Sequence, residues 1–291
     1  MNRLLLIILL VSPFSMQAQP SLNKNQQEAL QLLSQMDTSK ASAYWPMVEP
    51  SAFFHNVKKN ILYPEKIYQG HVTNFCGYAA MSVILCRQQP QTYVRSILEL
   101  YEKGETHLEK HVIKPTEAVR KTAGNLQRKG RLNINPADQL WLMSLPDQFK
   151  GYMNLDKKYN PGDENKTWAA CTLGKFNHMA QDLGGYKTTS YGTDLIRPGG
   201  KNNIDFIRKE MAKGTVVLFV NSKFLHPSKF RILVLRAPTH YIIIYDIQEV
   251  DGIIELKYWD YGLKTVELMT PKRLKKMTYG IIRLNKENIT P

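Results

Sequence analysis

At about Lys187 the texture of the chain changes, and that change limits the fold more than any other feature. Before it, apolar residues recur at helical spacing: Ala29, Leu32, Leu33 and Met36, then Val94, Ile97, Leu98 and Tyr101, then Leu140, Trp141, Met143 and Leu145. Punctuation agrees with that reading. Cys76 begins a helix to Arg87, Pro90 opens another, and Pro115 opens one ended by Gly130. Asn135-Pro136 supplies an N-cap followed by proline at the first helical position, and a helix from Thr172 to Leu183 is stopped by Gly184-Gly185. Between the first helix and about Gly70, Pro46, Pro50 and Pro64 argue against long elements. After Lys187 and one more helix, Asn203 to Lys213, the runs "TVVLFVNS", "RILVLRA", "HYIIIYDI", "IIELKYWD", "KTVELM" and "YGIIRL" are rich in β-branched and aromatic residues. A short helix, Pro271 to Met277, precedes the last of them. Helices first and an antiparallel sheet second predict an α+β fold, a helical lobe and a sheet lobe with a cleft between.

The N-terminus reads as an export signal covering residues 1–18. Arg3 is followed by an apolar run from Leu4 to Val11 and then by "SPFSMQAQP", with cleavage expected after Ala18. The run is too short for a membrane span, which takes about 20 apolar residues. The expectation is therefore an exported protein, periplasmic or secreted, with no membrane span once the signal is cleaved. Roughly 270 of the 291 residues remain, enough to bury a large core. The formal charge of +14 is spread through helices and turns. It favours anionic surroundings such as a cell envelope or an acidic substrate; nucleic acid is not expected, because no recognition motif accompanies the charge.

Three cysteines, Cys76, Cys86 and Cys171, are an odd number for an exported chain, so at least one thiol stays free or pairs elsewhere. On one helix Cys76 and Cys86 lie about 15 Å apart, too far to bond. A Cys86–Cys171 disulfide and three free thiols both remain open. Cys76, in "TNFCGYAAMSVIL", has two readings. It is a buried core cysteine, or it is a nucleophile at a helix start, where the macrodipole and free N–H groups stabilise a thiolate.

A thiol nucleophile needs a base, and the base an orienting group. His240 begins "HYIIIYDI" and Asp260 ends the next run. With a three-residue loop, Val250-Asp251-Gly252, Ile242 opposes Asp260 and His240 becomes its diagonal neighbour on one face. A loop one residue earlier at each end would set the two directly opposite, and a two-residue turn at Asp251-Gly252 would put the pair on opposite faces.

The helix-start "NFCGYAA", the strand-start "HYIII" and the following "YWDYG" together resemble the papain-like cysteine peptidase superfamily, especially peptidases that process double-glycine leaders and related secreted bacterial proteins. The resemblance implies a papain-like fold over residues 66–291, with Cys76 as nucleophile, His240 as general base and Asp260 as its orienter. It also implies an oxyanion-hole donor upstream of the cysteine. Gln69 is the candidate, one residue further upstream than usual, with Asn74 as a rival. The implied activity is cleavage of an amide bond in a protein or peptide through an acyl-enzyme, with no cofactor. Residues 104–200 then read as a helical insertion or an expanded lobe. Residues 19–65 read as a possible pro-region or an ordinary packed segment. The competing functions are a non-catalytic partner-binding protein on the same scaffold and a toxin-type thiol hydrolase.

Other signals carry less. "HLEKH" puts His107 and His111 on one helical face but lacks the glutamate directly after the first histidine that zinc peptidases use. "PGDEN" is too short for a calcium loop, and "RPGGKNN" lacks a strand-to-helix phosphate context. "KRLKK" reads as a basic helix face. Trp141 and Trp168 read as core. Trp259 reads as core or as a wall shielding the His240–Asp260 bond from water.

Overall fold

The computed structural model describes residues 22–108, 111–126, 134–149, 158–225 and 237–286; the expected signal, residues 1–18, and most of the run "RILVLRA" lie outside them. The fold is α+β. Its first half holds α1 (Lys24–Ser34), α2 (Pro50–Leu62), α3 (Cys76–Gln88), α4 (Pro90–Lys103), the hairpin β1 (Thr106–Leu108) and β2 (His111–Ile113), α5 (Glu117–Thr122), α6 (Pro136–Gln148) and α7 (Leu173–Gly184). Its second half holds β3 (Lys187–Gly192), α8 (Ile204–Met211), β4 (Thr215–Val220), β5 (His240–Val250), β6 (Ile253–Asp260), β7 (Leu263–Met269), α9 (Pro271–Met277) and β8 (Thr278–Asn285). Every neighbour pair in the six-stranded sheet, ordered β3-β8-β4-β5-β6-β7, is antiparallel.

Helices cover both faces of this sheet. Tyr241, Ile243, Trp259 and Ile282 join the core of the large helical layer, whereas Ile242, Ile244, Tyr258 and Ile281 pack with Ile204 and Ile207 of α8 and Leu274 and Met277 of α9. This explains why β5 opens as an unbroken apolar run: both of its faces are buried from His240 to Ile244.

Helix α3 runs through the middle of the helical layer. Every residue from Cys76 to Cys86 is buried, as expected of a helix apolar on all sides. It packs against α2, α4, α6, α7 and β5. Polar bonds fix its rotation. The Trp141 indole of α6 donates to Ser82 Oγ at 2.9 Å, and that hydroxyl donates to the Tyr78 carbonyl at 2.7 Å.

Two expectations are corrected. The proline-bearing stretch before Gly70 contains α2, a 13-residue helix: Pro50 sits in its first turn, where its missing N–H costs nothing, and the Glu49 carboxylate accepts from the N–H groups of Ser51 and Ala52. Phe53, Val57 and Ile61 then reach the main core together with Ala29 and Leu33 of α1, so the N-terminal helices are packed parts of the helical layer. His107 and His111 of "HLEKH" do not share a helix face; they lie on paired strands, with His107 opposite Val112 and Leu108 opposite His111.

Asp138 of α6 joins α2 through a buried network. Asn60 donates to its Oδ1 at 2.7 Å, Asn56 to its Oδ2 at 3.4 Å, and the Asp138 N–H donates to Asn56 Oδ1 at 3.0 Å. Burial pushes its pKa from 3.8 up to about 6, against the pull of those hydrogen bonds. The folded state therefore holds this proton where the unfolded chain has released it. The contribution is full below about pH 4 and lost as pH rises through about 6, an effect of about 3 kcal/mol. We expect the stability difference between the wild type and Asp138→Asn, from urea denaturation, to change by that order between about pH 4 and pH 7. A difference independent of pH would refute the assignment.

Candidate functional site

His240 and Asp260 are brought together. Their side chains are hydrogen-bonded, Nε2 to Oδ1, at 2.5 Å in a buried setting. The route differs from the expected one. The hairpin turn is the two-residue Asp251-Gly252, both with positive φ, and Val250 pairs with Ile253. That register alone would place the two side chains on opposite faces. A β-bulge at Tyr245, between the pairs Asp246–Lys257 and Ile244–Tyr258, shifts the pairing by one residue. Ile243 then pairs with Trp259, the register a three-residue loop would have given, and His240 is diagonal to Asp260.

Cys76 occupies the first position of α3, and its Sγ lies 3.7 Å from the Thr239 carbonyl, directly before His240. Burial lowers the His240 pKa. The Asp260 carboxylate, by charge and hydrogen bond, and the Cys76 sulfur, by the same two means, outweigh that and raise it to about 10. With Nε2 committed to Asp260, Nδ1 is the ring nitrogen left for Cys76. Three separate elements, α3, β5 and β6, thus converge on one constellation.

The helix start can approach β5 because residue 77 is glycine. A Cβ there would stand 2.7 Å from both Cβ and Sγ of Cys171 and 3.2 Å from the Tyr241 ring. Cys171 is held by its carbonyl, which accepts from the Tyr241 hydroxyl at 3.1 Å. All three cysteines are free thiols, so Cys171 neighbours the start of α3 and makes no disulfide with Cys86 near its end. Burial holds the Cys86 and Cys171 thiols well above the ordinary value.

Gln69 is fully buried, and among the described residues neither its Oε1 nor its Nε2 has a hydrogen-bond partner. The Thr73 hydroxyl bonds back to the Gln69 carbonyl, folding the segment that leads into Cys76. Asn74 is committed elsewhere: its side-chain amide donates to the Lys166 carbonyl at 3.1 Å, and its backbone N–H to the Glu164 carbonyl at 2.7 Å.

Sequence reasoning missed the cover of the site. Trp259 points to the face opposite Asp260 and donates to the Glu65 carbonyl at 3.0 Å, so it does not wall the histidine. Tyr261 does: its ring stacks on His240 at 4.7 Å between centroids and 11° between planes, and His71 lies against it at 5.1 Å. Tyr261-Gly262 is a second two-residue turn with positive φ at both positions, joining Asp260 to Leu263. The "DYG" tripeptide was a readable signal for that turn, though not for where the ring goes. The result is a closed site, with Cys76, His240 and Asp260 exposed by only 8%, 1% and 3%.

Among the described residues no group of three His, Cys, Asp or Glu side chains is arranged to hold a metal ion, and no helix is long and apolar enough to cross a membrane. Compared with known protein families, curated proteins and solved structures, the chain matches none of them.

Gly77→Ala forces either Cys171 or α3 to move. We expect a loss of about 1–3 kcal/mol in urea denaturation, as for other overpacked cores. Adding Cys171→Gly, which removes both clashing atoms, should restore most of it; wild-type stability of Gly77→Ala alone would disprove the close approach.

Proposed function

We propose that the chain is an exported thiol hydrolase of papain-like type that cleaves an amide bond in a protein or peptide. The reading rests on one observation above the rest: the 2.5 Å His240–Asp260 bond, formed across a re-registered hairpin, beside a cysteine at a helix start. Asp260 holds the imidazole with Nδ1 toward Cys76. With its pKa raised, His240 holds the thiol's proton as an imidazolium before Sγ attacks the carbonyl carbon; it gives that proton to the leaving nitrogen, and the now neutral ring takes a proton from the water that releases the acyl group from sulfur. The oxyanion is met by the Cys76 N–H, one of the donors a helix start leaves without an intrahelical acceptor, and by the Gln69 amide. A buried amide left unpaired costs about 1–3 kcal/mol, so its retention in the segment that leads into Cys76 supports that role.

A second reading has its own support. The closure of the site under Tyr261, and the membership of Cys76 in the main apolar core, suit a partner-binding protein in which the scaffold survives and the chemistry does not.

Alkylation by iodoacetamide with peptide mapping separates the two, with Cys86 and Cys171 as buried internal controls. At neutral pH Cys76 should label at least about 10-fold faster than either, and His240→Ala should remove most of that advantage. Slow labelling of Cys76 in both proteins would mark it as a structural cysteine and favour the binding-protein reading.

Asp260→Asn tests the orienter separately. It keeps an oxygen for Nε2 but removes the charge that raises His240, so the imidazolium should lose its proton at lower pH. By NMR of labelled histidine, the His240 titration should fall from about 10 toward its ordinary 6.5. An unmoved midpoint would deny Asp260 its electrostatic part.

A further inference from the structure

A cavity of about 680 Å³ opens between α9, the loop before α8 and the turn after β4, and it is lined by Arg197, Lys223, Lys272, Lys275 and Lys276 with no carboxylate. Among the described residues none of these five cations has an acidic partner, whereas Arg273, between them on α9, pairs with Glu267 at 2.8 Å. The basic cluster at the other end of the sheet is different in kind: Lys213 and Arg283 both bond to Glu210, at 3.1 and 2.7 Å.

The walls are built. Arg197 donates through Nε to the Lys276 carbonyl at 3.1 Å and through Nη2 to the Tyr279 hydroxyl at 2.8 Å, with its guanidinium 4.2 Å above the Tyr279 ring. Among the described residues its Nη1 makes no hydrogen bond and is left for a ligand. Buried Asn202 ties the loop to α9 by donating to the Lys275 carbonyl at 2.8 Å, and the Arg273 Nε ties α9 to the Phe224 carbonyl at 2.7 Å. Five like charges gathered without a counter-charge repel one another, and a negatively charged occupant relieves that repulsion.

The cavity lies at the end of β4, next to the strand start that carries His240. Asn221 on its wall follows Val220, which pairs with His240, and the next residue, Ser222, bonds to the Thr239 hydroxyl at 2.7 Å. The Thr239 carbonyl is the atom that Cys76 Sγ contacts. Its volume falls within the roughly 300–1,000 Å³ of ligand pockets, more room than one phosphate needs.

We propose that this cavity binds an acidic stretch of a polypeptide substrate, holding its carboxylates beside Cys76; the inference rests on the thiol-hydrolase reading above. The test is binding, measured in the Cys76→Ala protein so that no turnover intervenes. A fluorescein-labelled octapeptide rich in glutamate is compared by anisotropy with its glutamine counterpart at low salt. The glutamate peptide should bind, weaken about 10-fold in Lys272→Gln/Lys275→Gln, and recover in Lys272→Arg/Lys275→Arg. Lys58→Gln/Lys209→Gln, exposed elsewhere, should leave binding unchanged. Equal binding of the glutamine peptide, or equal weakening in both glutamine double variants, would overturn the site. Cavity-dependent binding of inorganic phosphate or of phosphatidylglycerol vesicles without the glutamate peptide would overturn the peptide assignment. A reactive Cys76 with no cavity-dependent binding would sink this inference and leave the hydrolase reading standing. Cavity-dependent binding with an unreactive thiol would uphold the acidic-peptide site and sink the hydrolase reading.

Discussion

The arrangement of the site depends on one extra residue in one strand. Side chains on a strand alternate faces, so the two-residue turn at Asp251-Gly252 and the bulge at Tyr245 each shift the placement of His240 relative to Asp260 by one step, and the two shifts cancel. With the turn alone, the imidazole and the carboxylate would sit on opposite sides of the sheet. Tyr245 is held where it is from outside the hairpin: the Arg87 guanidinium at the end of α3 lies 4.7 Å from its ring centroid. The helix that carries the cysteine at one end therefore braces, at the other, the irregularity that aligns the histidine.

That coupling explains why α3 is apolar on every side and carries a glycine at its second position. A helix that must touch four other helices and a strand has no face to give to solvent. Its start must come close enough to β5 for Cys76 to meet the residues at 239 and 240, and Cys171 already occupies the space a side chain at 77 would take. The buried bond from α6 to Ser82 fixes the helix in rotation, and the bonds from α2 to Asp138 tie α6 to α2 behind it. Cooperative packing of this kind places a thiol to within a fraction of an ångström, which a loop could not do.

Much of this arrangement is legible in the amino-acid sequence. The helices starting at Cys76, Pro90 and Pro136, and most of the strands, follow from apolar spacing and from where proline and glycine fall. The α+β division follows from their order. Cys76, His240 and Asp260 can be singled out because each sits at an element's end, where function gathers. Three things are hidden. Helix α2 is masked when Pro50 is counted as a breaker, although it stands at a helix start behind a capping glutamate. The β1–β2 hairpin is masked by a histidine spacing that fits a helix turn equally well. The bulge leaves no local mark at all, because Tyr245 is an ordinary strand residue whose displacement is settled by packing against α3.

The cover over the site is inseparable from its chemistry. Tyr261 sits at φ 46°, a conformation that costs a non-glycine residue about 1–3 kcal/mol, and its neighbour Gly262 fits where a Cβ would approach the Ile67 carbonyl to 3.2 Å. The strained turn therefore abuts the segment that leads to Gln69, and its ring lies flat on His240. Asp260 ends β6 and meets the imidazole, and Tyr261 directly after it roofs the ring over. Water is kept from the His240–Asp260 bond, which strengthens it, and so is any substrate. If the chain acts as the proposed hydrolase, admitting an amide without breaking that bond requires the movement to come from the other side of the roof, where His71, next to the Gly70 bend at φ 84°, meets Tyr261. On the proposed hydrolase reading, a substrate anchored in the cationic cavity would approach along the β4–β5 ends, where Asn221 of the cavity wall follows the Val220–His240 pair.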